Sequence, residues 1–200
     1  RNRKIDAGIM TDLLAEDYSY GIGPFRKWMK KNAGRRSVFE TGVAPYLQEI
    51  EEAGRAVPEV VMIDGAVVTP FYYWTGNVWQ GRLVLNDRGK DMLVLGLGDA
   101  AGYQNLPVLG TGKSRFSSYQ PAPERAMPYQ DVINYIHVRK GKGLVYWSHP
   151  LAGERRDFSL FGFTVSLHSN AVDSELMETG GYTGMGIYAV ELSQIMGAET

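Results

Sequence analysis

Apolar positions in the first third of the chain recur at helical spacing, and beyond Pro58 they follow strand patterns. Ile5, Ile9 and Leu13, with Met10 and Leu14, predict a helix over residues 5–16 that Gly8 weakens. Gly23-Pro24 followed by Phe25, Trp28 and Met29 predicts a short amphipathic helix ending near Gly34. Pro24 suits the first helical position and Gly34 the C-terminal cap. A further helix is predicted from about Pro45 to Ala53, stopping at Gly54, with Tyr46, Leu47 and Ile50 as its apolar stripe.

The strand signals are dense. Val60 to Ile63, Asp64-Gly65, then Ala66 to Val68 reads as a hairpin, because Asp-Gly accepts the positive φ of a two-residue turn. Phe71 to Trp74 and Val78-Trp79 flank a Thr75-Gly76-Asn77 turn. Arg82 to Leu85 and Met92 to Leu95 flank residues 86–90, and Val132 to Val138 and Leu144 to Trp147 flank residues 139–143. Phe158 to His168 is one long strand, bent at Gly162. Residues 99–131 hold Gly102, Pro107, Gly110, Gly112, Pro121, Pro123 and Pro128, and predict an extended loop. A short helix is expected around Ser174–Glu178, and Ile187–Met196 fits neither period. The fold class that follows is α+β, mainly antiparallel β (a sandwich or partial barrel) with an N-terminal helical segment. Residues 1–56 form that segment and residues 57–200 the β domain.

Composition narrows the classes. The chain has 200 residues and a net charge of −1, which excludes a globally basic nucleic-acid binder and a globally acidic solvating protein. Hydrophobic residues at 44% and charged residues at 22% are those of a folded chain. Cysteine is absent, which removes disulfide scaffolds, Cys-ligated metals and Cys nucleophiles together. No apolar run reaches the ~18 residues of a membrane helix, so no membrane span is expected. Arg1-Asn2-Arg3-Lys4 is followed by no apolar stretch of signal-peptide type. A first residue of Arg rather than Met fits a trimmed or a processed chain. Localisation stays open.

Several short motifs carry chemistry elsewhere. Pro107-Val-Leu-Gly-Thr-Gly112-Lys113-Ser114 has the shape of a phosphate-binding loop with its first glycine replaced by Pro107. The residues after it, to Pro121, make a poor helix, so it is taken as a turn. Gly96-Leu-Gly98-Asp-Ala-Ala101 fits a loose dinucleotide fingerprint, but Gly102 and Pro107 deny it a helix. His137, His149 and His168 show no metal-ligand spacing, and no nucleophile elbow is present. Trp147-Ser148-His149, with Gly184-Met185-Gly186-Ile187-Tyr188 downstream, resembles the His and Tyr signature of the poly(ADP-ribose) polymerase type of ADP-ribosyltransferase. The resemblance implies that His149 and Tyr188 hold a nicotinamide nucleotide and that a later Glu is catalytic, with Glu191 and Glu199 the downstream carboxylates. It covers two short patches, and only 12 residues follow Tyr188, too few for the family's remaining strands. A strand-end His and a Gly-rich turn is the reading preferred, and no cofactor is expected.

Two surface features remain. Arg26, Lys27, Lys30, Lys31, Arg35 and Arg36 form a basic run that would bind phosphate or face Glu49, Glu51 and Glu52 of the next helix. Phe71, Tyr72, Tyr73, Trp74 and Trp79 form an aromatic cluster, with Phe71 and Tyr73 expected on one face and Tyr72 and Trp74 on the other. Rings on both faces predict a strand covered on both sides, by the core and by the helices or a partner subunit. The function expected is a structural subunit of a larger assembly, with other protein subunits as partners. This texture resembles virion proteins of tailed bacteriophages, such as tail, baseplate or connector subunits. The alternatives are a nucleotide-cofactor enzyme of ADP-ribosyltransferase type and a carbohydrate- or nucleic-acid-binding β module.

Overall fold

Val61–Val68 is a single strand, β4, in which Asp64-Gly65 lies mid-strand and makes no turn. A Cβ on Gly65 would sit 2.5 Å from Leu95 Cδ2 and 3.0 Å from Thr11 Cγ2, so the glycine is there to let two neighbouring strands' side chains approach. Gly65→Val is expected to destabilise the fold by about 1–3 kcal/mol through overpacking. In urea unfolding the loss should shrink when Leu95→Val is made in the same chain, since contacting residues couple.

The computed structural model describes residues 5–15, 20–21, 30–31, 37–77, 80–119, 121–139, 142–151, 153–160 and 163–186. Ala7–Leu13 is strand β1, parallel to β4, and not the predicted helix. A spacing of four residues fits one face of a strand as well as one face of a helix, and at Ile9 and Leu13 the strand period wins. Tyr20–Gly21 (β2) and Lys30–Lys31 (β3) pair antiparallel, so the basic run is strand at Lys30 and Lys31 and not helix. The rest of that predicted helix lies outside the described residues.

Helices α1 (Val38–Thr41) and α2 (Val43–Ala56) follow. The apolar stripe of α2 faces β4, and Tyr46 donates its hydroxyl to Gly65 O at 2.8 Å and to Met10 O at 3.1 Å. Burial, with Asp12 and Asp64 nearby, pushes that phenol up to about 12. Strands β7 (Met92–Leu95), β8 (Leu144–Trp147) and β11 (Gly184–Met185) complete a five-stranded sheet in the order β1-β4-β7-β8-β11, in which only β7 runs against the others.

Val132 to Val138 is not a strand. It belongs to helix α4, Met127–Val138, with Pro128 in its first turn and Tyr129, Val132, Ile133 and Ile136 buried at helical spacing. Ala66 and Val68 of β4, Met92 and Val94 of β7, and Val145 and Trp147 of β8 meet that stripe, with Val43 of α2, in one core.

A second sheet has the order β5-β6-β10-β9, built from Tyr73–Asn77 (β5), Arg82–Asn86 (β6), Glu154–Leu160 (β9) and Phe163–Ser169 (β10). Thr75-Gly76-Asn77 is therefore strand, and the β5–β6 turn comes later. Gly76 has φ +88° and a Cβ there would meet Arg82 O at 2.6 Å, so the glycine serves a positive φ and a close approach inside the strand rather than a turn. Strands β6 and β7 lie in different sheets and form no hairpin. Phe158 to His168 is two antiparallel strands, with Phe158 opposite Val165. The long segment 99–131 holds helix α3 (Ala100–Gln104), a 3-10 turn at Leu109–Thr111 and the start of α4, where a loop without regular structure was predicted. Asp173–Glu178 forms the expected short helix, α5. The architecture is α+β: helices and two mixed sheets whose strand pairs are mostly antiparallel. No helix among the described residues is long and apolar enough to cross a membrane.

Candidate functional site

The connection from β6 to β7 carries the densest charge in the interior. Asp87 adopts φ +60°, and Lys90, three residues on, is 2% exposed. Its ammonium lies 2.5 Å from Glu175 Oε1 of α5 and 3.2 Å from Asp87 Oδ1, and Glu175 is 1% exposed. Burial raises the Glu175 carboxyl. The Lys90 hydrogen bond, its own backbone, the Lys90 charge and the Ser174 hydroxyl overcome that and hold it below its ordinary value. Gly89 N donates to Ser169 Oγ at 2.9 Å, Thr69 Oγ1 to Asp91 Oδ1 at 2.5 Å, and Ser148 N to Asp91 O at 3.0 Å. The C-terminal ends of β4, β6, β8 and β10 thus meet one buried connection.

This cluster fastens rather than reacts. The Lys90 ammonium is shared between two carboxylates and shut from solvent, so it presents no free cation to an anion and no free amine to a carbonyl. The Tyr129 hydroxyl and Trp147 Nε1 are buried with no hydrogen-bond partner among the described residues. Burial, then the charges of Asp87, Glu175 and Asp91, pushes the Tyr129 phenol well above its ordinary value. Among the described residues no group of three or more His, Asp or Glu is placed to hold a metal ion.

Phe71 stacks on Tyr73 at 5.9 Å and meets Phe116 edge-on at 5.8 Å, while Tyr72 joins Leu85 and Leu167 in a small core with Trp74 against it. Phe71 and Tyr72 are buried by the chain itself and Tyr73 and Trp74 half-buried, so no partner is needed to cover Phe71 and Tyr72. Trp79 lies outside the described residues, as do Arg26, Lys27, Arg35 and Arg36. Pro107 to Ser114 contains the 3-10 turn, with Gly112 at φ +68° and no helix behind it. A short helix does follow Gly96-Leu-Gly98, contrary to expectation, but Asp99 caps it by accepting from Gly102 N at 2.6 Å. Strand β11 lies beside β8 with Gly184 opposite Tyr146, so the His149 and Gly184 patches are neighbours. His149 is half-buried at φ +48°, and Tyr188, Glu191 and Glu199 lie outside the described residues. A groove of about 710 Å³ between α2 and β4 is lined by Glu51, Arg55 and Asp64 among others. Glu51 pairs with Arg55, and Asp64 accepts from Tyr103 and Gly98, so no converging free charge is left there.

The feature that stands out is the face of the five-stranded sheet turned away from the core. The strand registers place on it Ala7, Ile9, Thr11 and Leu13 of β1, Val61, Ile63, Gly65 and Val67 of β4, Leu93 and Leu95 of β7, Leu144 and Tyr146 of β8, and Gly184 of β11. None of these residues is Asp, Glu, Lys or Arg. Such a face on a sheet already backed by helices is polar when it meets water. Here Ile9 is 51%, Val61 64% and Leu144 46% exposed. The face runs out to β1, the edge strand. The signal was present in the sequence as unbroken apolar runs, Met92 to Leu95 and Val60 to Ile63, which mark strands buried on both faces. No family model, no curated protein and no solved structure matches the chain.

Proposed function

We propose that this chain is a structural subunit of a larger protein assembly and that the uncharged face of its five-stranded sheet is the joint. The observation that carries it is that face: a continuous sheet surface without a charged side chain, with Ile9, Val61 and Leu144 open to solvent. Gly65 and Leu95 at its centre are buried, and the exposed apolar residues around them are of the kind that marks interaction sites. The groups with chemical potential support the same reading from the other side, since Lys90, Glu175 and Asp87 are committed to one another. The aromatic cluster is not what carries the proposal, because Phe71 and Tyr72 are covered within the chain. The virion setting suggested by the texture of the sequence is the particular form of this proposal, and the mass of the native particle containing the chain tests it.

The test in solution is light scattering over a concentration series. The expected result is an oligomer of defined mass, with each contact burying more than ~1,000 Å². Val61→Lys with Leu144→Lys should lower its mass by releasing the face-to-face contacts, without changing the circular dichroism, because both positions are exposed. A monomer at high concentration would remove the proposal, and an oligomer indifferent to both lysines would remove this face as its joint.

A further inference from the structure

The edge of the five-stranded sheet points to a specific partner: we infer that β1 pairs antiparallel with β1 of a second copy of this chain, joining two five-stranded sheets into one. The inference rests on the assembly reading and names its partner. The N–H of Val61 is held by Asp6 O at 3.0 Å and the N–H of Leu14 bonds Val67 O at 2.9 Å, so the even-numbered residues of β1 turn their backbone groups to β4. Because direction alternates along a strand, the backbone groups of Ala7, Ile9, Thr11 and Leu13 turn to the free side. Among the described residues no strand lies there. Of the usual edge protections Ala7–Leu13 carries one charge, Asp12, and neither Lys nor Pro.

That charge selects the register. Only odd residues can bond across the edge, so the two-fold axis passes beside a residue; beside Gly8 it loses the Leu13 end, which leaves Ile9, Met10, Thr11 and Asp12. An axis at Ile9 sets Asp6 opposite Asp12 of the other copy, and an axis at Asp12 sets two Asp12 face to face, both repulsive. An axis at Met10 sets Asp12 opposite Gly8 and pairs all of β1, with Ile9 and Thr11 exchanging hydrogen bonds. An axis at Thr11 loses the Ala7 end. The Met10 axis is therefore preferred. It keeps like faces on the same side, so the two uncharged faces become one, and Ile9 of one copy lies beside Thr11 of the other. Leu13 N–H already bonds Asp12 Oδ1 at 2.7 Å, so the Ala7–Leu13 pair at each end is left with the single bond from Ala7 N–H to Leu13 O.

The chain has no cysteine, so single thiols report the register cleanly. Two Met10 Cα atoms across this axis form a non-hydrogen-bonded pair about 4.5 Å apart. Met10→Cys should therefore give a disulfide-linked dimer under mild oxidation, within disulfide reach. Asp12→Cys places its thiols about 13 Å apart along the strands, and should cross-link at least about ten-fold less. Both positions are exposed, and unchanged circular dichroism checks that the variants fold. Light scattering of the native chain separates the two failures. An oligomer in which Met10→Cys does not cross-link, or cross-links no better than Asp12→Cys, overturns this pairing and leaves the assembly reading standing. A native chain that stays monomeric, with no cross-link at Met10→Cys, overturns both.

Discussion

Lys90→Met is expected to lower the stability of the fold by about 3–5 kcal/mol, because it strands the buried Glu175 and Asp87 without their cation. Lys90 and Glu175 are 2% and 1% exposed, so solvent cannot take over the lost role. The side-chain volume is nearly kept, so the loss measures charge rather than cavity. The double variant Lys90→Met with Glu175→Leu should recover most of the deficit, since a buried ion pair replaced whole by apolar groups is often neutral. Urea unfolding of the three chains checks this. A Lys90→Met loss below ~1 kcal/mol would mean that water reaches the pair. The pH dependence has a definite sign. The Glu175 carboxyl titrates below its ordinary 4.5 in the folded chain, so its contribution is complete above that value and disappears as the pH falls through the folded value. The native chain should lose this component on acidification below about 4.5, and the double variant should not.

The pair was invisible in the sequence because its members are 85 positions apart and nothing about Lys90 marks it as buried. Helix α2 was legible from Tyr46, Leu47 and Ile50, since three apolar positions on one turn-and-a-half of helix fit no strand. Helix α4 was not, because Val132, Ile133, Ile136 and Val138 are β-branched and look like strand. Their i, i+1, i+4 spacing and the Pro128 before them held the answer. Strand β1 was misread because its spacing of four suits both periods, and β4 because Asp64-Gly65 reads as a turn by propensity. There the tertiary need won: Gly65 gives Leu95 its room and Asp64 holds Tyr103 and Gly98. Of the candidate surfaces, the aromatic cluster was conspicuous and the chain buries two of its rings. The sheet face was inconspicuous, since its residues come from five strands spread from Ala7 to Gly184. Only the registers bring them together.

Trp147→Ala should be the most damaging single truncation in the core, at about 3–5 kcal/mol. Trp147 is fully buried, its ring centroid lies 4.9 Å from that of Tyr129 on α4, and its register partner is Met92 at the centre of the sheet. Removing the indole leaves a cavity between the sheet and α4 that rigid neighbours cannot close. The damage also has a route to the ion pair, because Ser148, the next residue, holds Asp91 O beside Lys90. Trp147→Phe separates the contributions. It keeps a ring against Tyr129 and removes an indole N–H that has no partner among the described residues. Its loss should therefore be smaller by at least ~1.5 kcal/mol, since part of the lost packing is offset by relief of an unsatisfied donor. Equal losses in Phe and Ala variants, read from urea midpoints at constant slope, would mean that the indole N–H is bonded and that the polar edge of the ring, rather than its packing, holds α4 to the sheet.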